Sequence, residues 1–174
     1  MTQMTGSMIE HIGVLVPNLE EAIERWSAVT GFTFSPIARY RTDRYIDHTD
    51  EHPHFHDARI SFSREGSPRI ELMEVTGEGT HGSDQLGIHH LGIQNIASPE
   101  TERERLAEIG VGIDGCSLNE DGRILLMFTD KSALDGIRIE YISPLPGPIV
   151  ADDGSPLPRN PETGKADLWA NAPQ

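Results

Sequence analysis

The chain repeats itself, and both copies carry the same residue types at the same places. The first copy opens on Ile9-Glu10-His11-Ile12-Gly13-Val14 and the second on Ile88-His89-His90-Leu91-Gly92-Ile93. Their closing segments are Arg69-Ile70-Glu71-Leu72-Met73 and Arg138-Ile139-Glu140-Tyr141-Ile142. His11 is thus equivalent to His90, and Glu71 to Glu140. A chain of this kind is expected to fold as two like modules with pseudo-symmetry. Two histidines and two carboxylates related by that symmetry point to one metal ion held between the halves.

The order of elements supports the repeat. Residues 8–16 alternate as a strand does. Leu19, Ala22, Ile23, Trp26 and Val29 then recur at helical spacing. Asn18 is a suitable N-cap for that helix, Glu20 and Glu21 suit its first turn, and Gly31 stops it. Strands are predicted over 32–38, 58–62 and 70–75, the last two joined by the turn at 64–68. The second copy restarts with a strand over 88–93. A helix follows from Ser98-Pro99-Glu100 through Leu106 and Ile109, then strands beginning at 111, at 124–128 and at 137–142. Each copy therefore reads βαβββ, an α+β arrangement.

Spacing separates the copies. His11 to Glu71 spans 60 positions and His90 to Glu140 spans 50, which places an insertion of about ten residues in the first copy. It falls in the polar stretch at 40–56. The expected organisation is a first module over 8–75, a Gly- and Thr-rich linker over 76–87, a second module over 88–143, and a tail over 144–174. That tail holds seven of the twelve prolines and is expected to pack irregularly on the surface or on a partner subunit.

Composition narrows the function. A net charge of −14 repels nucleic acid and anionic membrane. No apolar run approaches the ~18 residues of a membrane span. The opening MTQMTGSM lacks the pattern of a signal peptide, so a cytoplasmic protein acting on a small molecule is expected. The single Cys116 excludes an intramolecular disulfide and a cysteine-based zinc site. Arg39, Arg41 and Arg44 form a candidate anion patch, with Arg41 and Arg44 placed to orient an anionic group. A solvated strand face explains the patch equally well.

Imidazole and carboxylate ligands suit one divalent ion of Zn, Ni, Co, Mn or Fe. A six-coordinate ion held by His11, Glu71, His90 and Glu140 would leave two positions for a chelating substrate. It would then acidify a C–H beside the chelated carbonyl. Glu140, or its equivalent Glu71, is the expected base. Each residue alone has a simpler reading: a strand histidine commonly packs in a core, and a strand glutamate can face solvent. The joint repetition of both residue types favours the metal. His89 competes with His90, but the repeat aligns His90 and turns His89 to the other face. His48, His52, His54 and His56 form a second cluster, read as a solvated loop, with metal binding or a substrate lid as alternatives.

His11-Ile12-Gly13-Val14 through Pro17-Asn18, Ile70-Glu71-Leu72, His89-His90-Leu91-Gly92 and Gly136-Ile137-Arg138-Ile139-Glu140 resemble the vicinal oxygen chelate superfamily. That superfamily includes glyoxalase I, methylmalonyl-CoA epimerase, extradiol dioxygenases and bleomycin-resistance proteins. The resemblance implies an incompletely closed barrel of two βαβββ modules around a metal, with ligands at His11, Glu71, His90 and Glu140. It implies a metal-dependent isomerase, epimerase or lyase, and by analogy a homodimer. The alternatives are an Fe(II) ring-cleaving dioxygenase using His11, His90 and Glu140, and an antibiotic-binding protein. Bleomycin-binding members lack the ligand set, and extradiol dioxygenases lack a ligand at the position of Glu71.

Overall fold

Strand β1 (His11–Val16) leads into helix α1 (Leu19–Thr30), and the caps read in the sequence delimit that helix. The Asn18 side chain accepts from the Glu21 N–H at 2.9 Å, and Gly31 ends the helix with a left-handed φ of 76°. The first module continues through β2 (Ala38–Asp47), β3 (Asp50–Phe62) and β4 (Arg69–Glu74). The second comprises β5 (Gly87–Ile93), α2 (Pro99–Glu108), β6 (Ile113–Leu118), β7 (Ile124–Thr129) and β8 (Arg138–Ile142), followed by a short β9 (Ile149–Ala151). This computed structural model describes residues 8–173. The stretch 1–7, read above for a signal peptide, lies outside the described residues.

Strands β1 to β8 form a ring in the order β3-β4-β1-β5-β8-β7-β6-β2, closed by the pairing of β2 with β3. Within each module the first strand runs parallel to the last, and the two modules meet where β1 lies antiparallel to β5. On the far side, β2 pairs with β6 only over Tyr45–Asp47, and at Ala38–Tyr40 the same edge pairs with β9 instead. The barrel is therefore joined there by a short seam, and the remainder of β2 borders an interior cavity. The helices pack outside. Leu19 and Ala22 bury against Val16 and Leu72, and Leu106 packs with Ile124, Met127 and Tyr141.

Two expectations need correction. Of the segment predicted as a strand over 32–38, only Ala38 belongs to β2, and the rest contributes an isolated bridge between Phe34 and Ser63. The polar stretch at 39–56 is instead most of the long β2–β3 hairpin. Its polarity disguised it, because paired charges rather than apolar residues cover its outer face. Asp57 receives Arg39 Nη1 and Arg41 Nη2, each at 3.0 Å.

The tail, described to residue 173, runs back across the barrel. Arg59 holds Asp152 through Nε and Nη2, both at 3.0 Å, and the Arg64 guanidinium lies 4.1 Å from the Trp169 ring centroid. Residues 76–87 carry two 3-10 turns, Gly79–His81 and Ser83–Gln85, and Thr80 and His81 are buried. No helix among the described residues is long and apolar enough to cross a membrane.

Candidate metal centre

Strand register brings the four repeat residues together. Gly13 of β1 lies opposite Glu71 on the β4 side and opposite His90 on the β5 side. Gly92 of β5 lies opposite His11 on β1 and Glu140 on β8. Residues directly opposite one another share a face, so all four side chains project into the barrel. The glycines are needed for this. A Cβ built on Gly13 would collide with the His90 ring, and one on Gly92 with the His11 ring. Each imidazole thus lies over the backbone of the other module, in the space a side chain would fill.

The ligand atoms converge. His11 Nε2 is 3.0 Å from both His90 Nε2 and Glu140 Oε2. Glu71 Oε2 lies 3.4 Å from His11 Nε2 and 3.2 Å from His90 Nε2. One ligand atom from each of the four falls within 4.8 Å of every other, and all four residues are buried. Metal–ligand bonds of about 2.0–2.2 Å require neighbouring donors roughly 3.0–3.5 Å apart, so the spacing suits a divalent cation. Two carboxylates would also balance its charge. Among the described residues this is the one group of His, Cys, Asp or Glu side chains arranged to hold a metal.

Hydrogen bonds set which nitrogen faces the centre. His11 Nδ1 donates to Glu10 Oε2 at 2.8 Å, and Glu10 is itself held by Arg69 Nε at 2.6 Å. His89 Nε2 donates to the Thr80 carbonyl at 2.7 Å, so its bare Nδ1 accepts from His90 Nδ1 at 2.9 Å. His11 and His90 therefore both turn Nε2 to the centre, held by the kind of partner that orients histidines in metal sites. Glu10, His89 and Thr80 were missed as site residues in the sequence. The turning of His89 to the other face is also corrected. The register shift around Gly13 and Val14 is a bulge, which lets both neighbouring histidine rings lie on the buried side.

Electrostatics follow from these contacts. Burial alone would discourage charge on His11, but hydrogen bonds to Glu10 and Glu140 and the charge of Glu71 outweigh it and raise its pKa to about 10. Burial would raise the Glu140 carboxyl, yet His90 and His11 hold it well below the usual carboxylate range. His89 is pushed down to about 3, first by burial and then by His90 and Arg138.

His11, Glu71 and Glu140 line a cavity of about 590 Å³. Phe62, Met73 and Phe128 supply apolar wall, while Lys165, Leu168 and Trp169 of the tail cover it. Arg41 and Arg44, the expected anion clamp, lie on a different surface depression, where Arg41 pairs with Asp57 and Arg44 with Asp43. The His-rich cluster does not converge as the four repeat residues do: among the described residues it is not a group of three or more close donors. His48 lies in the β2–β3 turn, and His52, His54 and His56 follow one another along β3 with separate partners. His52 is exposed against Asp50, His54 reaches Asp47 at 3.7 Å, and His56 stacks on Tyr45 with ring centroids 4.1 Å apart.

Residues 10–113 match the family described as the Glyoxalase/Bleomycin resistance protein/Dioxygenase superfamily, which is more than half of the chain. The chain belongs to this superfamily. Solved structures with the same fold include a hypothetical protein from Bacillus halodurans C-125, at 18% identity and TM-score 0.55, covering 80% of this chain and 95% of that one. A variant of methylmalonyl-CoA epimerase from Streptomyces coelicolor, in complex with 2-nitronate-propionyl-CoA, has 16% identity and TM-score 0.52 over 79% and 94% of the two chains. The epimerase from Mycobacterium tuberculosis has 18% identity and TM-score 0.51 over 80% and 87%. At these identities the likeness is one of fold. No curated protein matches the chain. The family's own description spans glyoxalases, bleomycin-resistance proteins and dioxygenases, so membership does not fix the reaction.

Proposed function

We propose that this superfamily member is a metal-dependent enzyme that moves a proton beside the carbonyl of a small chelating molecule, as an isomerase, epimerase or lyase. One observation carries the reading: two imidazoles and two carboxylates converge on one point beside a cavity of about 590 Å³. His11, Glu71, His90 and Glu140 would hold the ion. When bound, a divalent cation there supplies Lewis-acid polarisation of the substrate carbonyl and makes an adjacent C–H acidic.

The chain's own residues supply the rest. Glu140 is held ionised by its histidine neighbours and is the preferred proton acceptor, with Glu71 as its symmetry mate. The proton returned to the same carbon gives an epimerase, and to a neighbouring carbon an isomerase. Apolar walls and the overlying tail limit water, which would compete for that proton. A ring-cleaving iron enzyme would use His11, His90 and Glu140 alone, the two-histidine, one-carboxylate set. The position of Glu71 within 3.4 Å of both imidazoles supports the four-ligand reading instead. A cytoplasmic homodimer is part of the same reading.

The test is elemental analysis of protein purified without a histidine tag, followed by incubation in D2O with methylmalonyl-CoA and with hemithioacetals. About one metal per chain with deuterium entering beside the carbonyl is expected. A chain that takes up no divalent metal overturns the enzyme reading. Oxygen uptake on catechols without deuterium exchange would replace it with the dioxygenase.

A further inference from the structure

The turn Gly79–His81 places a second buried imidazole, besides His11, on the cavity wall, where half-buried His56 also lies. His81 is 4% exposed and lines the same cavity as His11, Glu71 and Glu140. It stands one ring away from the ligand set. Its ring centroid is 4.8 Å from that of His89 and 5.8 Å from that of Phe128, and each of those rings is 5.2 Å from His90. No role in holding the metal falls to it.

A chain of hydroxyls fixes where its proton sits. Tyr45, 1% exposed, has its phenol oxygen 2.6 Å from Thr80 Oγ1, and Thr80 Oγ1 is 2.9 Å from His81 Nδ1. Thr80 is the one hydrogen-bond partner of that phenol among the described residues. A buried O–H left without an acceptor is costly, so Tyr45 donates to Thr80. Thr80 must then send its own proton on to His81 Nδ1. A neutral His81 accepting at Nδ1 carries its hydrogen on Nε2. Among the described residues nothing hydrogen-bonds that nitrogen, and it is not sealed within protein.

We propose that His81 presents a neutral Nε2–H to an oxygen of the substrate, as a catalytic hydrogen-bond donor separate from the metal ligands. The substrate class is thereby narrowed to chelating molecules with an oxygen acceptor at the His81 end of the cavity, whether carbonyl, carboxylate or the enolate oxygen formed on proton loss. The proposal rests on the cavity being the substrate site. Burial, then the neighbouring His89, His56, His90 and Arg138, hold His81 well below the ordinary imidazole range, which agrees with a neutral donor. A neutral imidazole can stabilise developing negative charge on oxygen without giving up its proton.

Thr80 makes the proposal separable from the metal site. Its carbonyl orients the His89–His90 pair, while its hydroxyl orients His81. Thr80→Val removes the second function and keeps the first. The first experiment is nitrogen NMR of histidine-labelled, zinc-loaded protein. At pH 7 His81 should be a single neutral tautomer protonated at Nε2. In Thr80→Val and Tyr45→Phe it should become mixed or shift to Nδ1, while the His89 and His90 signals and the zinc affinity stay unchanged. A wild-type His81 protonated at Nδ1, or on both nitrogens, overturns the proposal.

The second experiment measures deuterium exchange on a carbon acid that the wild type turns over. His81→Phe should lower kcat/KM by about 10²-fold with unchanged metal content. His81→Gln, which keeps an N–H at similar reach, should recover part of the loss. Equal rates in wild type and His81→Phe overturn the proposal. If His81→Phe does not fold, Thr80→Val, which retains the imidazole, gives the same comparison. A wild type that exchanges nothing counts against the proton-transfer reading, and the NMR result then decides on His81 by itself.

Discussion

Gly13 and His90 face one another across the junction of the two modules, and the imidazole occupies the space that a Cβ on Gly13 would take. The same relation, inverted, joins Gly92 and His11. Each module thus leaves room for the other's imidazole. Replacing either glycine by alanine should force the opposite ring away, at a cost of about 1–3 kcal/mol, the usual penalty for overpacking. Urea denaturation reads the stability, and a competition assay with a coloured chelator reads the accompanying loss of metal affinity. Wild-type behaviour in both variants would mean that the rings have space elsewhere.

Glu10 accepts from His11 Nδ1 and is gripped by Arg69. Glu10→Gln should weaken metal binding by about 10–100-fold, the usual effect of removing an outer partner of a ligand histidine. Titration with Zn²⁺ and Co²⁺ by calorimetry checks this.

Metal should compete with protons. His11 retains a proton up to about 10 in the ion-free centre, against an ordinary value of 6.5. A cation must displace it, so binding at pH 8 should release a proton to solvent and affinity should rise with pH. Calorimetry in two buffers of different ionisation enthalpy counts the protons. Equal heats in both would show that none is released.

The stability of the metal-stripped protein should peak near neutral pH. Below 6.5 the unfolded chain protonates histidines that the fold keeps neutral, His56 down to about 4 and His89 down to about 3, so stability falls as pH falls through that window. His11 works in the opposite direction. Its raised value favours the fold below 6.5, and that advantage is lost as pH rises towards about 10. Metal removes the alkaline limb because it takes the proton's place. Denaturant midpoints from pH 5 to 10, with and without Zn²⁺, should show a decline above neutrality only in the stripped protein.

Glu140→Gln should reduce proton exchange by about 10²–10⁴-fold, the scale of general acid–base catalysis, and Glu71→Gln by less. Metal content measured on the same samples separates loss of the base from loss of the ion. Unchanged exchange in Glu140→Gln assigns the base to another group.

The four ligand candidates and the βαβββ order were readable because the repeat aligns them independently of any contact. Alternation and helical spacing are local, and so are the caps at Asn18 and Ser98. The β2–β3 hairpin was not readable, since its outer face is satisfied by Arg39, Arg41 and Asp57 rather than by apolar alternation. His89 and Thr80 were hidden for a related reason. A bulge alters the face of one strand residue, and a carbonyl bond at 2.7 Å to a turn nine positions away leaves no pattern in composition.

By itself, then, the sequence determined that there are two like modules and that His11, Glu71, His90 and Glu140 occupy matching places in them. Those are consequences of periodicity and of a repeated motif. Tertiary structure alone decided that the four meet within 4.8 Å, which nitrogen each histidine turns to the centre, and that the tail and the 76–87 turns wall the cavity. These depend on register across strands distant in the chain and on hydrogen bonds formed only once the ring of strands has closed. His81 belongs to that second group: between two glycines it looked like linker, and only the packing of Tyr45 and Thr80 against it gives its proton a direction.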